Sequence, residues 1–142
     1  MFKVLNNLKY SKILFKINSE KLSRKYSVSK KKFSYKSHLN WLKKILSSRR
    51  TKIYFYLVNK TIVGTIRTEA KKDRKYLSWA IGKEYRGRNL GKKMLIAFVK
   101  RHGNKFIAKI HRNNFASLKM CRSAGFKVYR EGKKFMYFKK LK

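Results

Sequence analysis

A strand, a basic loop and a helix follow one another between Tyr76 and Val99, and together they have the features of an anion-binding site. The apolar run 76–81 predicts the strand, and apolar residues at helical spacing from Leu90 onward predict the helix. The first N–H groups of a helix have no partner within it and lie at the positive end of its dipole, so phosphate binds there readily. The residues predicted to form the site are Arg86, Gly87, Arg88, Asn89, Leu90, Gly91 and Lys92.

The residue types in this loop suit close approach of the backbone to a ligand. Gly87 and Gly91 carry no side chain to obstruct it, and Asn89 is the non-glycine residue that best tolerates the left-handed conformation. The alternative is an ordinary strand-to-helix turn on a lysine-rich surface. These residues alone do not decide between the two.

Length and composition limit the classes of protein to consider. The chain has 142 residues, 43% of them hydrophobic, which predicts one folded domain spanning 1–142. Its one cysteine, Cys121, rules out an internal disulfide, and the three histidines lack the spacing of metal ligands, so we expect no metal site. No apolar run reaches the eighteen or so residues of a membrane span. We therefore expect a cytoplasmic protein, with an organellar transit peptide as the minor alternative.

The net charge is the most unusual feature of the composition. The sequence has 41 Lys and Arg against 5 Asp and Glu, which gives 41 − 5 = +36. Such a charge favours polyanionic partners, including nucleic acid. However, the basic residues are spread evenly along the chain, and proline is absent where about 5% is usual. We therefore attribute the charge mainly to biased residue usage, with selected attraction to nucleic acid or a membrane surface as the alternative.

Hydrophobic periodicity predicts the elements that must position the loop. The predicted strands are 2–6, 53–58, 61–69, 76–81, 105–111, 126–130 and 134–141. The predicted helices start at Asn7, within 18–26, at Ser37, at Leu90 and at Asn113 or Asn114. Asn59-Lys60 predicts a tight hairpin turn and 70–74 a charged turn. The predicted order is therefore strand, helices, three-stranded meander, helix, strand, helix and hairpin.

This order, with phosphate-binding chemistry between the central strand and its helix, resembles the Gcn5-related N-acetyltransferase (GNAT) family, which binds acetyl-CoA. The family's loop pattern is Arg or Gln, two residues, Gly, one residue, then Gly or Ala. It falls here on Arg86, Asn89 and Gly91, so that Asn89 replaces the first glycine. A second family pattern is Asn, two residues, Ser, three residues, Tyr, three residues, then Gly-Phe. It is matched by Asn114, Ser117, Gly125 and Phe126, with Cys121 in place of Tyr.

The resemblance implies an acyl-CoA N-acyltransferase fold, which is an α/β fold of the α+β type, three layers deep, with a mixed, mostly antiparallel central sheet flanked by helices. The same resemblance implies transfer of an acetyl group to a primary amine. It also implies that backbone N–H groups of 86–92 bind the pyrophosphate of CoA. The main chain around Ala80 and Ile81 would pair with the pantetheine arm, and Asn114 would meet the same arm. Asn114, Ser117, Leu118 and Cys121 share one helix face, which could line the cofactor; alternatively, these residues are helix caps and core.

Two residues are candidates for moving protons. Cys121 stands where the family has a tyrosine that protonates the departing thiolate, and it is a candidate for that catalytic role. Because its side chain is shorter by a ring, we expect instead that Cys121 packs in the core and that solvent protonates the thiolate. Among the five acidic residues, Glu69 is the best placed to act as a base, through a water molecule. The alternative for Glu69 is a plain surface carboxylate.

The N-terminal half is similar to acetyltransferases that modify amino sugars on nucleotide carriers. The similarity involves Asn18, Arg24, His38, Trp41 and Leu42, although Ile17 stands where that group has an arginine. It implies that His38 and Trp41 line the acceptor pocket; core packing is the alternative. The rival functions are acetylation of a protein N-terminus or an RNA-associated amine, and a non-catalytic GNAT-like domain that binds nucleic acid.

Overall fold

The computed structural model describes residues 1–20, 26, 34–103 and 105–140. The strands in these ranges are β1 (Phe2–Val4), β2 (Thr51–Val58), β3 (Thr61–Lys71), β4 (Arg74–Ile81), β5 (Ile107–His111), β6 (Phe126–Glu131) and β7 (Phe135–Lys140). The α-helices are α1 (Ser11–Asn18), α2 (Tyr35–Ser47), α3 (Leu90–His102) and α4 (Phe115–Ser123). A 3₁₀ turn at Lys83–Tyr85 precedes α3.

The strands form one sheet in the order β1-β2-β3-β4-β5-β7-β6. Every neighbouring pair is antiparallel except β4 and β5, which run parallel. Helices cover both faces of the sheet, which gives three layers. This confirms the predicted fold class, a mixed and mostly antiparallel central sheet flanked by helices.

Different helices cover the two faces because successive side chains of a strand point to opposite sides. Ile53 and Phe55 of β2 are buried with Leu14 of α1 and Leu42 of α2. The opposite face of the sheet packs against α3 and α4, in a larger core that includes Phe98. The continuous apolar run in β2 is therefore buried on both sides, as such a run predicts.

The two parallel strands separate soon after they pair. Tyr76 pairs with Ile107 and Leu77 with Ala108, and the ladder between β4 and β5 ends there in the described chain. β4 continues to Ile81, and β3 pairs with its other edge throughout. The backbone of 78–81 therefore has no neighbouring strand on the side of β5. This separation leaves a cleft with main-chain hydrogen-bonding groups along its wall.

The first helix starts later than predicted. Asn7, the predicted N-cap, instead accepts a hydrogen bond from the Lys9 N–H at 2.9 Å, which closes a local turn. The helix then begins at Ser11. The physical reason is that an asparagine side chain can satisfy nearby N–H groups in a turn as well as at a helix end.

The second clear helix starts earlier than predicted, at Tyr35 instead of Ser37. Ser34 Oγ accepts a hydrogen bond from the Ser37 N–H at 3.1 Å and so caps a helix that begins two residues before the expected start. The short helix predicted within 18–26 lies mostly outside the described residues.

The hairpin predicted at Asn59-Lys60 is confirmed. Both residues have positive φ angles, 49° and 65°, as this kind of tight turn requires. The charged turn predicted at 70–74 is shorter, because β3 and β4 both extend into it. The strand predicted for 105–111 likewise starts later, at Ile107.

Candidate active site

A cleft of about 1090 Å³ opens where β4 and β5 separate. Its walls come from the free edge of β4, including Ala80 and Ile81, and from the loop before α3. One side is closed by α4, from Ala116 to Ser123, and the other by residues of α1 and α2. The volume is sufficient for a ligand larger than a typical drug molecule. The structure therefore brings the predicted anion-binding loop and the predicted acceptor residues to one cavity.

The loop at the start of α3 has the conformation of an anion-binding site. Asn89 lies in the left-handed region, with φ 58° and ψ 14°, and its side chain does not cap the helix. The Lys93 N–H donates the first helical hydrogen bond, to the Asn89 carbonyl at 3.2 Å. By helix geometry, the N–H groups of 90–92 have no intrahelical partner. The first turn contains no acidic residue that would repel an anion.

The backbone conformation of Asn89 leads to a stability prediction. We expect Asn89→Gly to keep the melting temperature within a few degrees, since glycine adopts a positive φ without strain. Asn89→Val should lose about 1–2 kcal/mol, because its branched Cβ clashes with the backbone in this region. Thermal unfolding of both purified variants measures the difference. Equal melting temperatures would contradict the assignment of strain to this position.

Arg86 fixes the loop to two other parts of the chain. Its Nε donates to the Ile81 carbonyl oxygen at 3.2 Å, and its Nη2 donates to Glu20 Oε2 at 2.5 Å. The pair is partly shielded, with 30% of the Arg86 side chain and 17% of the Glu20 side chain exposed. Glu20 therefore neutralises much of the positive charge that Arg86 brings to the loop. Arg86 lines the cleft and holds the end of β4 against the loop.

The two glycines of the loop differ in their surroundings. A Cβ at Gly87, whose φ is 79°, would meet no atom within 4 Å, so this part of the loop borders open space. A Cβ at Gly91 would lie 2.1 Å from Met120 Sδ of α4. Gly91 lines the cleft, but the close contact that its missing side chain permits is with α4. A substitution at Gly91 would disturb helix packing and would not test ligand binding cleanly.

The predicted ligand-facing surface of α4 is divided between the cleft and the core. Asn114 and Ser117 line the cleft, and Asn114 Oδ1 accepts a hydrogen bond from the Ser117 N–H at 3.3 Å. Leu118 and Cys121 are 5% and 0% exposed and belong to the core. Their apolar character explains the division, since burying them removes apolar surface from water.

The position of Cys121 favours core packing over the role of acid. The thiol is fully buried and is not among the described residues that line the cleft. Burial raises the pKa of the Cys121 thiol to about 12. A proton would therefore have to move uphill to reach a free thiolate, whose usual pKa is about 8.5.

We accordingly expect Cys121→Ala to retain turnover within about tenfold. Positioned proton transfer contributes on the order of 10²- to 10⁴-fold, so a smaller loss indicates a packing role. Steady-state kinetics at saturating donor, alongside a melting curve, separates the two effects. A loss of a hundredfold or more in a folded variant would identify Cys121 as the acid.

The structure does not bring Glu69 into the cleft. Glu69 lies on β3 opposite Tyr76, and its Oε1 is 3.4 Å from Lys71 Nζ. Arg67, two residues earlier on the same strand face, does line the cleft, whereas Glu69 is not among the described lining residues. The role of Glu69 as a base acting through water stays a prediction.

The wall formed by α1 and α2 contains the predicted acceptor residues. His38, only 3% exposed, and Trp41 both line the cleft, with ring centroids 5.3 Å apart. His38 Nε2 lies 3.4 Å from Asn18 Nδ2, and an amide N–H can only donate, so Nε2 accepts in this contact. Burial lowers the pKa of His38 from its usual 6.5. The imidazole is therefore neutral at neutral pH.

Cations also line the cleft away from the loop, at positions that no sequence motif indicated. The Arg67 guanidinium lies 5.8 Å from the Trp41 ring centroid, and Lys109 Nζ lies 4.7 Å from that of Phe135. The alternation of β5 was an available signal, because burial of Ala108 and Ile110 places Lys109 on the opposite face. None of the described lining residues is acidic, while the basic ones are Arg67, Arg86, Lys92, Lys109 and Lys119.

A family model for the acetyltransferase (GNAT) domain matches residues 6–127. The chain belongs to the GNAT acetyltransferase family. This GNAT protein is thus an acyltransferase, as the loop and helix patterns predicted. No curated protein sequence matches it significantly.

Solved structures show the same fold for this GNAT protein. The N-acetyltransferase PseH of Campylobacter jejuni in complex with acetyl coenzyme A has a TM-score of 0.73 at 20% identity, covering 97% of this chain and 96% of that one. The ribosomal-protein-alanine N-acetyltransferase of Brucella melitensis has a TM-score of 0.76 at 16% identity, covering 99% of both chains. AAC(6')-Ib in complex with paromomycin and acetyl-CoA has a TM-score of 0.78 at 12% identity, covering 98% of this chain and 92% of that one. At identities of 12–20%, these similarities establish a shared fold and no more.

Two further observations concern the described residues of the GNAT protein. They contain no group of three or more His, Cys, Asp or Glu side chains arranged to hold a metal ion. Across residues 1–20, 26, 34–103 and 105–140, no helix has both the length and the apolar character needed to cross a lipid bilayer.

Proposed function

We propose that this GNAT protein transfers the acetyl group of acetyl-CoA to the primary amine of an amino sugar carried on a nucleotide. The observation that carries the proposal is the cleft itself. One wall contains a helix N-terminus without a side-chain cap, and the other wall contains cations. No acidic residue is among the described residues that line the cleft.

The donor side of the cleft suits acetyl-CoA. The N–H groups of 90–92 and Lys92 are suited to bind the pyrophosphate, because helix N-termini and cations both favour phosphate. The free edge of β4 at Ala80 and Ile81 offers main-chain partners to an extended arm that lies along it as an added strand. Asn114 borders the same space from α4. The open volume beside Gly87 leaves room for the phosphates.

The acceptor side of the cleft suits a substrate with negative charge. Arg67 and Lys109 would repel an acceptor with several positive charges, such as a polyamine. A nucleotide diphosphate would instead be attracted, and Trp41 offers an aromatic surface for a sugar or a base. The similarity of Asn18, His38 and Trp41 to acetyltransferases of amino-sugar nucleotides supports the same substrate class.

The transfer needs a proton acceptor and stabilisation of an oxyanion. The amine nitrogen forms a bond to the acetyl carbon as the C–S bond breaks, so the amine must lose a proton. We infer that His38 accepts it at Nε2, with the amine displacing the Asn18 amide from that nitrogen, because the imidazole lines the cleft and burial keeps it neutral. Main-chain N–H groups on the free edge of β4 are suited to stabilise the oxyanion. Solvent can protonate the departing thiolate.

An acceptor panel tests the proposal. Purified protein with acetyl-CoA is offered amino-sugar nucleotides, free amino sugars, polyamines and peptides, and release of free thiol is followed. We expect the highest kcat/KM with an amino-sugar nucleotide and much lower values with the same sugar lacking its nucleotide. Preference for a peptide N-terminus would support the second candidate, which the fold shared with the Brucella enzyme favours. No turnover with any amine, despite acetyl-CoA binding, would support a non-catalytic domain.

Arg67 gives a residue-level prediction on the acceptor side. Arg67→Gln should raise KM for the nucleotide-linked acceptor by about tenfold or more, since a hydrogen bond to a charged group is worth roughly 1.5–3 kcal/mol. Arg67→Lys, which keeps the charge, should recover part of this loss. Acetyl-CoA binding by both variants, measured calorimetrically, should match the wild type. An unchanged KM in Arg67→Gln would remove Arg67 from the acceptor site.

A further inference from the structure

One surface of the C-terminal hairpin and of β5 beside it combines cations with aromatic rings, of which Tyr129 is exposed and Phe135 and Tyr137 are half-buried. We propose that this surface binds single-stranded nucleic acid. It is called the hairpin face here, and its residues are Lys109, Lys127, Tyr129, Arg130, Phe135, Tyr137 and Lys139. None of them belongs to the donor site, and its edge at Lys109 and Phe135 continues into the acceptor end of the cleft.

Strand register places a tyrosine between two cations on this face. Tyr137 of β7 pairs with Lys109 of β5 on one side and with Arg130 of β6 on the other. Directly paired residues share a sheet face, so all three side chains point the same way. The Arg130 guanidinium lies 4.1 Å and Lys109 Nζ 5.7 Å from the Tyr137 ring centroid. The ring is thus flanked by positive charge on both neighbouring strands.

A second ring and cation extend the arrangement towards the end of the hairpin. Lys139 Nζ lies 4.4 Å from the Tyr129 ring centroid, and Tyr129 is 43% exposed. The rings of Tyr129 and Tyr137 are 6.5 Å apart. Aromatic side chains on a sheet, interleaved with basic residues, are the common basis for binding unpaired bases and their phosphates.

The charges of the hairpin face indicate an anionic partner. Lys127 and Lys139 are directly opposite each other in the register, an arrangement that destabilises a hairpin by repulsion. A phosphate bound between them would remove that repulsion. Glu131, the acidic residue of β6, pairs with Met136, which is buried in the core on the other side of the sheet. The lysines and Arg130 therefore face solvent without a carboxylate from the hairpin strands.

The rings distinguish a single strand from other polyanions. A duplex keeps its bases stacked inside, so it could use the cations of the face but not the tyrosines. An even spread of lysines over a protein predicts binding that depends on total charge alone. The paired rings and cations predict binding that depends on this face and on exposed bases.

Fluorescence anisotropy with a labelled single-stranded RNA of about twelve nucleotides tests the proposal at near-physiological salt. We expect Tyr129→Ala/Tyr137→Ala to weaken binding by about tenfold or more without any change in charge, since base stacking on an aromatic ring contributes this much. Tyr129→Phe/Tyr137→Phe keeps both rings and should bind like the wild type. A retained thermal shift with acetyl-CoA would show that each variant is folded.

Two charge-matched variants distinguish binding at the hairpin face from binding that depends on total charge. Lys127→Glu/Arg130→Glu/Lys139→Glu changes the hairpin face, and Lys43→Glu/Lys44→Glu/Arg101→Glu makes the same change on exposed residues of α2 and α3. We expect the first variant to lose at least ten times more affinity than the second. Equal losses would overturn the proposal and attribute binding to net charge.

Competition completes the test. Unlabelled single-stranded RNA should displace the probe at lower nucleotide concentration than an RNA duplex or vesicles of anionic phospholipid. If the duplex competes equally, or if only the vesicles bind, the hairpin face is not a single-strand site. Tyrosine variants that bind as tightly as the wild type would refute the proposal equally.

Discussion

Lys92→Glu is expected to weaken acetyl-CoA binding by about a hundredfold while leaving the fold intact. Lys92 is exposed and lines the cleft in the first turn of α3. Glutamate there replaces attraction to the pyrophosphate by repulsion, and a charge-assisted hydrogen bond alone is worth roughly 1.5–3 kcal/mol. Negative charge in the first turn also stabilises a helix. The melting temperature without ligand should therefore stay the same or rise while the ligand-induced shift disappears.

Lys93→Glu is the matched control for this experiment. Lys93 is the next residue on the same helix and is also exposed, but it is not among the described residues that line the cleft. The two variants have the same net charge, so a difference in their acetyl-CoA affinities reports the effect of the residue's position and not of total charge. Calorimetric titration of both variants gives the comparison. Equal affinities would mean that the start of α3 does not bind the donor.

His38→Gln is expected to lower kcat/KM by about a hundredfold and to change its pH dependence. A base must be neutral to accept a proton, and burial lowers the pKa of His38 below 6.5. Wild-type kcat/KM should therefore be constant near neutral pH and fall as the pH drops through the lowered pKa. Glutamine cannot titrate, so kcat/KM of the variant should no longer fall at low pH, which removes the acid limb of the pH profile. The variant should also lose the rate contribution of proton transfer to His38, which is on the order of 10²- to 10⁴-fold.

Glu69→Gln distinguishes the two candidate bases. If His38 is the base, Glu69→Gln should keep kcat/KM within about tenfold and retain the acid limb. The opposite pattern, with the limb lost in Glu69→Gln and kept in His38→Gln, would establish the carboxylate acting through water. Acetyl-CoA affinity should be unchanged in both variants. These profiles need an identified acceptor, so they follow the acceptor panel.

The conformation of the loop before α3 was predictable from sequence because its determinants are local. A strand, a turn with Gly87 and Asn89, and a helix that starts at Leu90 are adjacent in the chain, and backbone geometry alone makes such a helix start an anion site. The positive φ of Asn89 was predictable for the same reason, since few residues other than glycine tolerate it. Hydrophobic periodicity likewise sufficed for most strands and helices.

The roles of individual helix residues were less predictable. Cys121 and Asn114 share a face on an ideal helix, but the structure buries Cys121 and leaves Asn114 in the cleft. Helical spacing specifies which residues lie on one side of a helix; it does not specify where the neighbouring elements stop covering that side. Gly91 shows the same limit, because its neighbour Met120 comes from a different helix.

The sequence by itself determined the family, the elements of the layered fold and the loop proposed to bind the donor, since each depends on residues close together in the chain. The tertiary structure alone decided that Arg67 and Lys109 join His38, which the resemblance had indicated, in the proposed acceptor wall. His38, Arg67 and Lys109 come from three elements that are distant in sequence and meet at the cleft only because β4 and β5 separate. It also decided that the hairpin cations stack on tyrosines, because that contact depends on strand register across β5, β7 and β6. Pairing between strands far apart in the chain is set by the packing of the whole core, which no local pattern encodes.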